Sequence, residues 1–193
     1  MHTFTHIAAF VFILFSLSFL VSAIPTAPRT LGAIYPPAGE DAISAILIKL
    51  CLRDLEVKIK ALLGCGTLPE LKLAIKVLIG LFQPCADELL KVDANVTISA
   101  KAKASIVTCV CSIITLLVKV CAEVSVKFGI VVVVDLFAEL DVCLKALLVN
   151  LNICIAGVLV LIVKTLAQAT VGLLFNIHFE LCSAVLGLKG IAL

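Results

Sequence analysis

The chain has no tryptophan, a single tyrosine and only 6% aromatic residues. That leaves no stacking platform for bases or sugars, which argues against nucleotide and carbohydrate binding. Charge is scarce as well: 15% of residues are Asp, Glu, Lys or Arg, against about 25% in an ordinary soluble domain. The net charge of +2 is small and spread out, so there is no basic footprint for nucleic acid. No G-x-S-x-G elbow, G-x-x-x-x-G-K-[ST] loop or H-E-x-x-H helix occurs. Cys109-Val110-Cys111 is not the C-x-x-C of a zinc or redox site, and no second pair completes a tetrahedral set.

What is abundant is grease. Residues of the Ala, Val, Ile, Leu, Met, Phe, Trp, Tyr and Cys set make up 63% of 193 positions, well above the roughly 45–50% usual for soluble domains. An excess of that size belongs either to a protein with large apolar surfaces or to one embedded in lipid.

Residues 1–23 hold none of the 15 basic and 13 acidic side chains. Ile7 to Val21 is an apolar block closed by Val21-Ser22-Ala23, which predicts a secretory signal peptide cut after Ala23. The competing expectation there is an uncleaved N-terminal anchor. Residues 24–40 contain Pro25, Pro28, Pro36 and Pro37 and predict a flexible, extended leader. The remainder, 41–193, is expected to be a cysteine-rich helical domain.

Within that domain the clearest pattern runs from Lys101 to Lys127. Lys101, Ser105, Thr108, Ser112, Thr115, Lys119, Glu123 and Lys127 recur at steps of three and four between apolar residues. This predicts a long helix with one narrow wet stripe, covered on most of its circumference and capped by Thr97 or Ser99. Upstream, a helix from Asp41 to the Gly64-Cys65-Gly66 stop carries Lys49, Arg53, Glu56 and Lys60 on one face, with Asp54–Lys58 and Glu56–Lys60 as i,i+4 pairs. Thr67-Leu68-Pro69-Glu70 has capping-box spacing and starts a second helix, predicted to break at Gln83-Pro84. Phe128-Gly129 ends the long helix, and the β-branched run Ile130 to Val134 reads as a tight connection before another apolar helix, broken near Gly157 or Gly172. Asn95-Val96-Thr97 is an N-glycosylation acceptor in an exported protein.

Nine cysteines follow the leader, at 51, 65, 85, 109, 111, 121, 143, 154 and 182. In an exported chain such a set predicts disulfides, with one thiol left over. Facing residues of an antiparallel helical hairpin have a constant index sum. That rule pairs Cys111 with Cys154, Cys121 with Cys143 and Cys51 with Cys85. Cys65 with Cys109 forms a fourth candidate pair, and Cys182 is left as the free thiol. His2 and His6 fall in the predicted signal peptide, so a catalytic triad would have to use His178, in the apolar setting LFNIHFE. Asp135 and Glu139, one helical turn apart, read as exposed dipole partners rather than paired catalytic acids. No metal, cofactor or catalytic role is expected, and the chain reads as a non-enzyme.

Ile7–Ala23, Pro25–Pro37 and the nine cysteines together give a layout that resembles small secreted cysteine-rich proteins of filamentous fungi. The resemblance implies a role at a surface, cell wall or host interface without catalysis. Hydrophobins and plant lipid-transfer proteins both need Cys-Cys doublets, which this chain lacks.

The combined expectation is an exported, all-α, disulfide-stapled bundle of four to six amphipathic and apolar helices. It would bind lipid or coat an apolar surface, self-associate, and take no nucleic acid. The competing expectation is an integral membrane protein with two or three spanning helices near 104–118, 146–163 and 165–179.

Overall fold

A computed structural model describes residues 32–39 and 41–188. The predicted signal peptide, the first part of the leader and Glu40 lie outside the described residues. Eight α-helices occur among those described: α1 (Ala42–Leu52), α2 (Leu55–Ala61), α3 (Leu68–Leu89), α4 (Ala100–Phe128), α5 (Ile130–Cys154), α6 (Val158–Thr165), α7 (Gln168–Asn176) and α8 (Glu180–Val185). A short 3-10 turn covers Leu62–Gly64. The all-α expectation holds, with more helices than the four to six expected.

Local chemistry explains most of the boundaries. Asp41 caps α1 by accepting from Ser44 N. Thr67 and Glu70 form the reciprocal capping box at the start of α3, and Ser99 accepts from Ala102 N at the start of α4. Each cap satisfies backbone donors that a helix start leaves without a partner.

Three boundaries depart from expectation. The first predicted helix is two, because Asp54 takes a left-handed φ of 56° between α1 and α2. The supposed single stripe from Lys49 to Lys60 is split accordingly. Of its two expected pairs, Glu56–Lys60 forms at 2.6 Å, whereas Lys58 Nζ donates to the Arg53 carbonyl instead. Pro84 does not end α3, which continues to Leu89. The last turn buries Cys85, Ala86 and Leu89, and that burial outweighs the interior-proline penalty of about 3 kcal/mol. Finally, Ile130–Val134 is not a connection but the first turn of α5. Gly129 alone, at φ 87°, reverses the chain; few residues other than glycine tolerate that angle.

The wet stripe of α4 is real, and it is partly occupied. Residues 32–39 run beside it without regular structure. Tyr35 N donates to Ser112 Oγ at 3.2 Å and Ala38 N to Ser105 Oγ at 2.6 Å. Ile34 N donates to Glu56 at 3.1 Å. This part of the predicted flexible leader is therefore held by three backbone donors.

The most extensive helix–helix contact joins α3 to α5. Helix α4 packs mostly on α6 and α7, and less on α2 and on its own hairpin partner α5. Helix α8 rests on α5, where Phe137 and Phe179 meet edge-on with ring centres 6.4 Å apart. Buried polar atoms are all satisfied among the described residues. Asn150 Nδ2 donates to the Ala86 carbonyl across the α3–α5 contact. Asp141 on α5 accepts from Leu181 N and Cys182 N at 2.7 and 2.9 Å.

The expected staples are absent: all nine cysteines are free thiols. The index-sum rule failed because it assumes that the two helices of a hairpin are each other's main neighbours. Here the Cys143 thiol faces Gln83 on α3 and the Cys154 thiol donates to the Leu89 carbonyl at 3.3 Å. The Cys111 thiol points the other way, to the Ile162 carbonyl of α6 at 3.6 Å.

The expected membrane spans fare unevenly. Segment 104–118 lies within α4, the one described helix long and apolar enough to cross a membrane, with 67% of its most apolar window buried inside the fold. Segment 146–163 is interrupted at Gly157, which has φ 72°. Segment 165–179 spans the end of α6 and all of α7, two helices bent by 100° against each other. Neither is a continuous helix of spanning length.

Candidate functional site: an apolar tip and a set of thiols

Helices end where their polar backbone can be solvated, so hairpin tips are normally polar. The α4–α5 tip is the reverse. The residues from Val126 to Val132 read VKFGIVV, and Lys127 is the only charged side chain among them. Val126 is 86% exposed and Val131 85%, the two highest values among the large exposed hydrophobic residues of the described chain. Val132 is half exposed beside them. The tip is also tied to the body. Lys127 Nζ donates to the carbonyls of Leu63 and Cys65 at 3.3 and 2.6 Å, which anchors it to the 3-10 turn. That ammonium lies 5.5 Å from the centre of the Phe128 ring, so its charge is directed inward. What remains facing outward is branched hydrocarbon on a preformed backbone.

The nine thiols differ sharply among themselves. Cys85 is pushed up to about 12 and Cys111 to about 11 by burial. Burial also raises Cys65, Cys121, Cys143, Cys154 and Cys182. At Cys182 the Asp141 charge adds to it. Cys51 alone goes down, because the Cys109 thiol hydrogen-bonds to it, and Cys109 goes up for the same reason and from burial. Their sulfurs are 3.9 Å apart, a contact rather than a bond. Of the expected disulfide partners, the structure thus brings Cys51 to Cys109, and none of the expected pairs is bonded.

Asn95 is exposed and takes a left-handed φ of 56°. Asn95 N and Val96 N donate to the Ile153 and Cys154 carbonyls at 3.0 and 2.9 Å, which fixes the acceptor loop on the surface with its side chain outward-accessible. His178 sits in the turn before α8, on a cavity of about 300 Å³ that Glu180 and Ser183 also line. Ser183 Oγ donates to the Phe179 carbonyl at 2.7 Å, and no side-chain hydrogen bond joins the three as a catalytic relay requires. Asp135 and Glu139 are both exposed. Among the described residues no three His, Cys, Asp or Glu side chains are placed to share a metal ion.

Two of these features escaped the sequence. Asp141 is one of three acids in α5 and carries no motif, so nothing marks it as a cap for another helix. The tip was visible as an apolar run, but its exposure depends on Gly129 ending one helix and starting the next without a loop. No protein-family model, no curated protein and no solved structure matches this chain. The likeness in layout to secreted fungal proteins therefore stays an expectation from the sequence.

Proposed function

We propose that the chain is an exported, non-enzymatic helical protein that engages lipid or another apolar surface, at a cell wall or host interface, through the α4–α5 tip. Asn95 is its glycan acceptor. The observation that carries this reading is the pair Val126 and Val131, 86% and 85% exposed on an anchored hairpin end. Exposed clusters of this kind on a structured element mark contact surfaces. Burying a valine side chain contributes about 1.5–3 kcal/mol. Two therefore supply roughly 3–6 kcal/mol, enough for reversible attachment and far short of permanent insertion.

The test is co-flotation of the full chain with neutral phosphatidylcholine vesicles, comparing wild type with the V126S/V131S double variant. Loss of two valine contacts predicts at least about a tenfold fall in bound fraction at limiting lipid, since 1.4 kcal/mol is tenfold. Helical circular dichroism should be unchanged, because both side chains lie outside the core. Equal binding by the double variant would overturn the assignment of the tip.

A further inference from the structure

Helix α1 and helix α4 come from distant parts of the chain, yet they bring two sulfurs face to face. Cys51 on α1 is partly exposed and Cys109 on α4 is fully buried. A cavity of about 320 Å³ opens onto Cys51, walled by Ile34, Pro36, Pro37, Ile48 and Leu52. The only carboxylate at its rim is Glu56, whose oxygens already accept from Ile34 N and Lys60 Nζ.

We propose that Cys51 and Cys109 form a two-thiolate site for a soft monovalent cation of the Cu(I) class, entered through this cavity. Ligand number, softness and geometry all point to such an ion. Two sulfurs and no available hard oxygen select against magnesium and calcium, which require six or more oxygen ligands between protein and water. They also fall short of the four ligands of structural zinc, and no third His, Cys, Asp or Glu is placed to complete such a set among the described residues. Soft thiolate ligands favour Cu(I), which is content with few of them. With the zinc–thiolate length of about 2.3 Å as the guide, an ion spanning the 3.9 Å gap would subtend an S–M–S angle of about 116°. Of the two sulfurs only that of Cys51 belongs to a residue lining the cavity, so a small thiol would enter as a third ligand from the Cys51 side.

The proton inventory fits. Cys51 and Cys109 are both free thiols with their sulfurs in contact, so each has one proton to lose. The cation replaces both: two thiols and one M⁺ give an M(SR)₂⁻ unit and two released protons, with no change of oxidation state. Cys85 is close enough for its charge to act on Cys109, but it makes no sulfur contact. This site is independent of the lipid-binding tip.

The experiment uses the reduced full chain under anaerobic conditions, with Cu(I) supplied as its coloured bathocuproine disulfonate chelate. Wild type should withdraw one equivalent and develop an ultraviolet thiolate-to-metal charge-transfer band. C51S and C109S should each weaken uptake by at least about a hundredfold, above the 10–100-fold typical of supporting residues alone. C121S, a buried thiol elsewhere on α4, should retain it. C51S guards against misfolding of C109S, because Cys51 sits at the surface, and helical circular dichroism checks both. An equimolar addition of Zn²⁺ should not displace the ion. Absent uptake by wild type, unchanged uptake by C51S, or displacement by Zn²⁺ would each overturn the site.

Discussion

Asp141 offers the sharpest test of how the C-terminal part of the fold is held. Helix α8 has only six residues and no cap from its own leading residue, Phe179. Its first donors, Leu181 N and Cys182 N, are satisfied by the Asp141 carboxylate at 2.7 and 2.9 Å. Asp141 is only 2% exposed, so water is poorly placed to replace it. Changing Asp141→Ala leaves two backbone N–H groups without a partner, each costing about 1–3 kcal/mol. The expected loss is roughly 2–6 kcal/mol. At about 2–4 °C per kcal/mol for a chain of this size, the midpoint should fall by roughly 4–24 °C. Asp141→Asn keeps one acceptor oxygen but turns a donor toward a donor, and should fall in the lower half of that range. Thermal and guanidinium unfolding measure the loss. Amide exchange should show faster exchange at Leu181 and Cys182 before the core opens. If Asp141→Ala melted within about 2 °C of wild type, the carboxylate would not be the cap described here.

Other consequences can be checked directly. Thr67→Ala removes one half of the α3 capping box and should cost about 1 kcal/mol, or ~2–4 °C; no change in a thermal scan would deny the cap any role. In the native reduced protein, Cys51 should be the first thiol alkylated by iodoacetamide, since the other eight are raised; peptide mapping that found Cys85 or Cys121 modified as quickly would contradict this. Glu56 is lowered by Lys60 and Ile34 N, and Glu70 by Gly66 N and Thr67 N. A carboxylate lowered in the fold contributes stability that is present above its unfolded value near 4.3 and lost as pH falls through the folded value. Melting temperature should therefore drop as pH is taken below about 4.3, with a shallower drop in E56Q/E70Q. Glu70 is exposed and the Glu56 side chain is 35% exposed, so the effect should be modest and weaken with salt, and identical acid limbs in the two proteins would remove these groups from the explanation.

Sequence-local signals were readable where one short segment decides the outcome. Thr67 with Glu70, Ser99 before α4 and Gly129 after it all behaved as their side chains and backbone freedom dictate. Signals that depend on which helix packs against which were not readable. Pro84 reads as a break because a proline weakens any isolated helix, whereas burial of Cys85, Ala86 and Leu89 carries α3 past it. The disulfide scheme failed by the same route: chain neighbours α4 and α5 each found a larger contact elsewhere, so cysteines that share an index sum face different partners. The β-branched run at Ile130 reads as a strand or connection by propensity and becomes helix because Gly129 needs no further residues to turn.

The strand-like leader places an unusual demand on future variation in this chain. Its grip on the body comes from the nitrogens of Ile34, Tyr35 and Ala38, and the two residues skipped, Pro36 and Pro37, are those with no hydrogen on nitrogen to give. The exposed side chains of Ala33, Tyr35 and Ala38 are thus interchangeable, while the register of the imino acids is not. Moving a proline one step, to Tyr35 or Ala38, would silence a donor and peel the strap from the serines beneath it. Drift at this segment should spare spacing and spend identity.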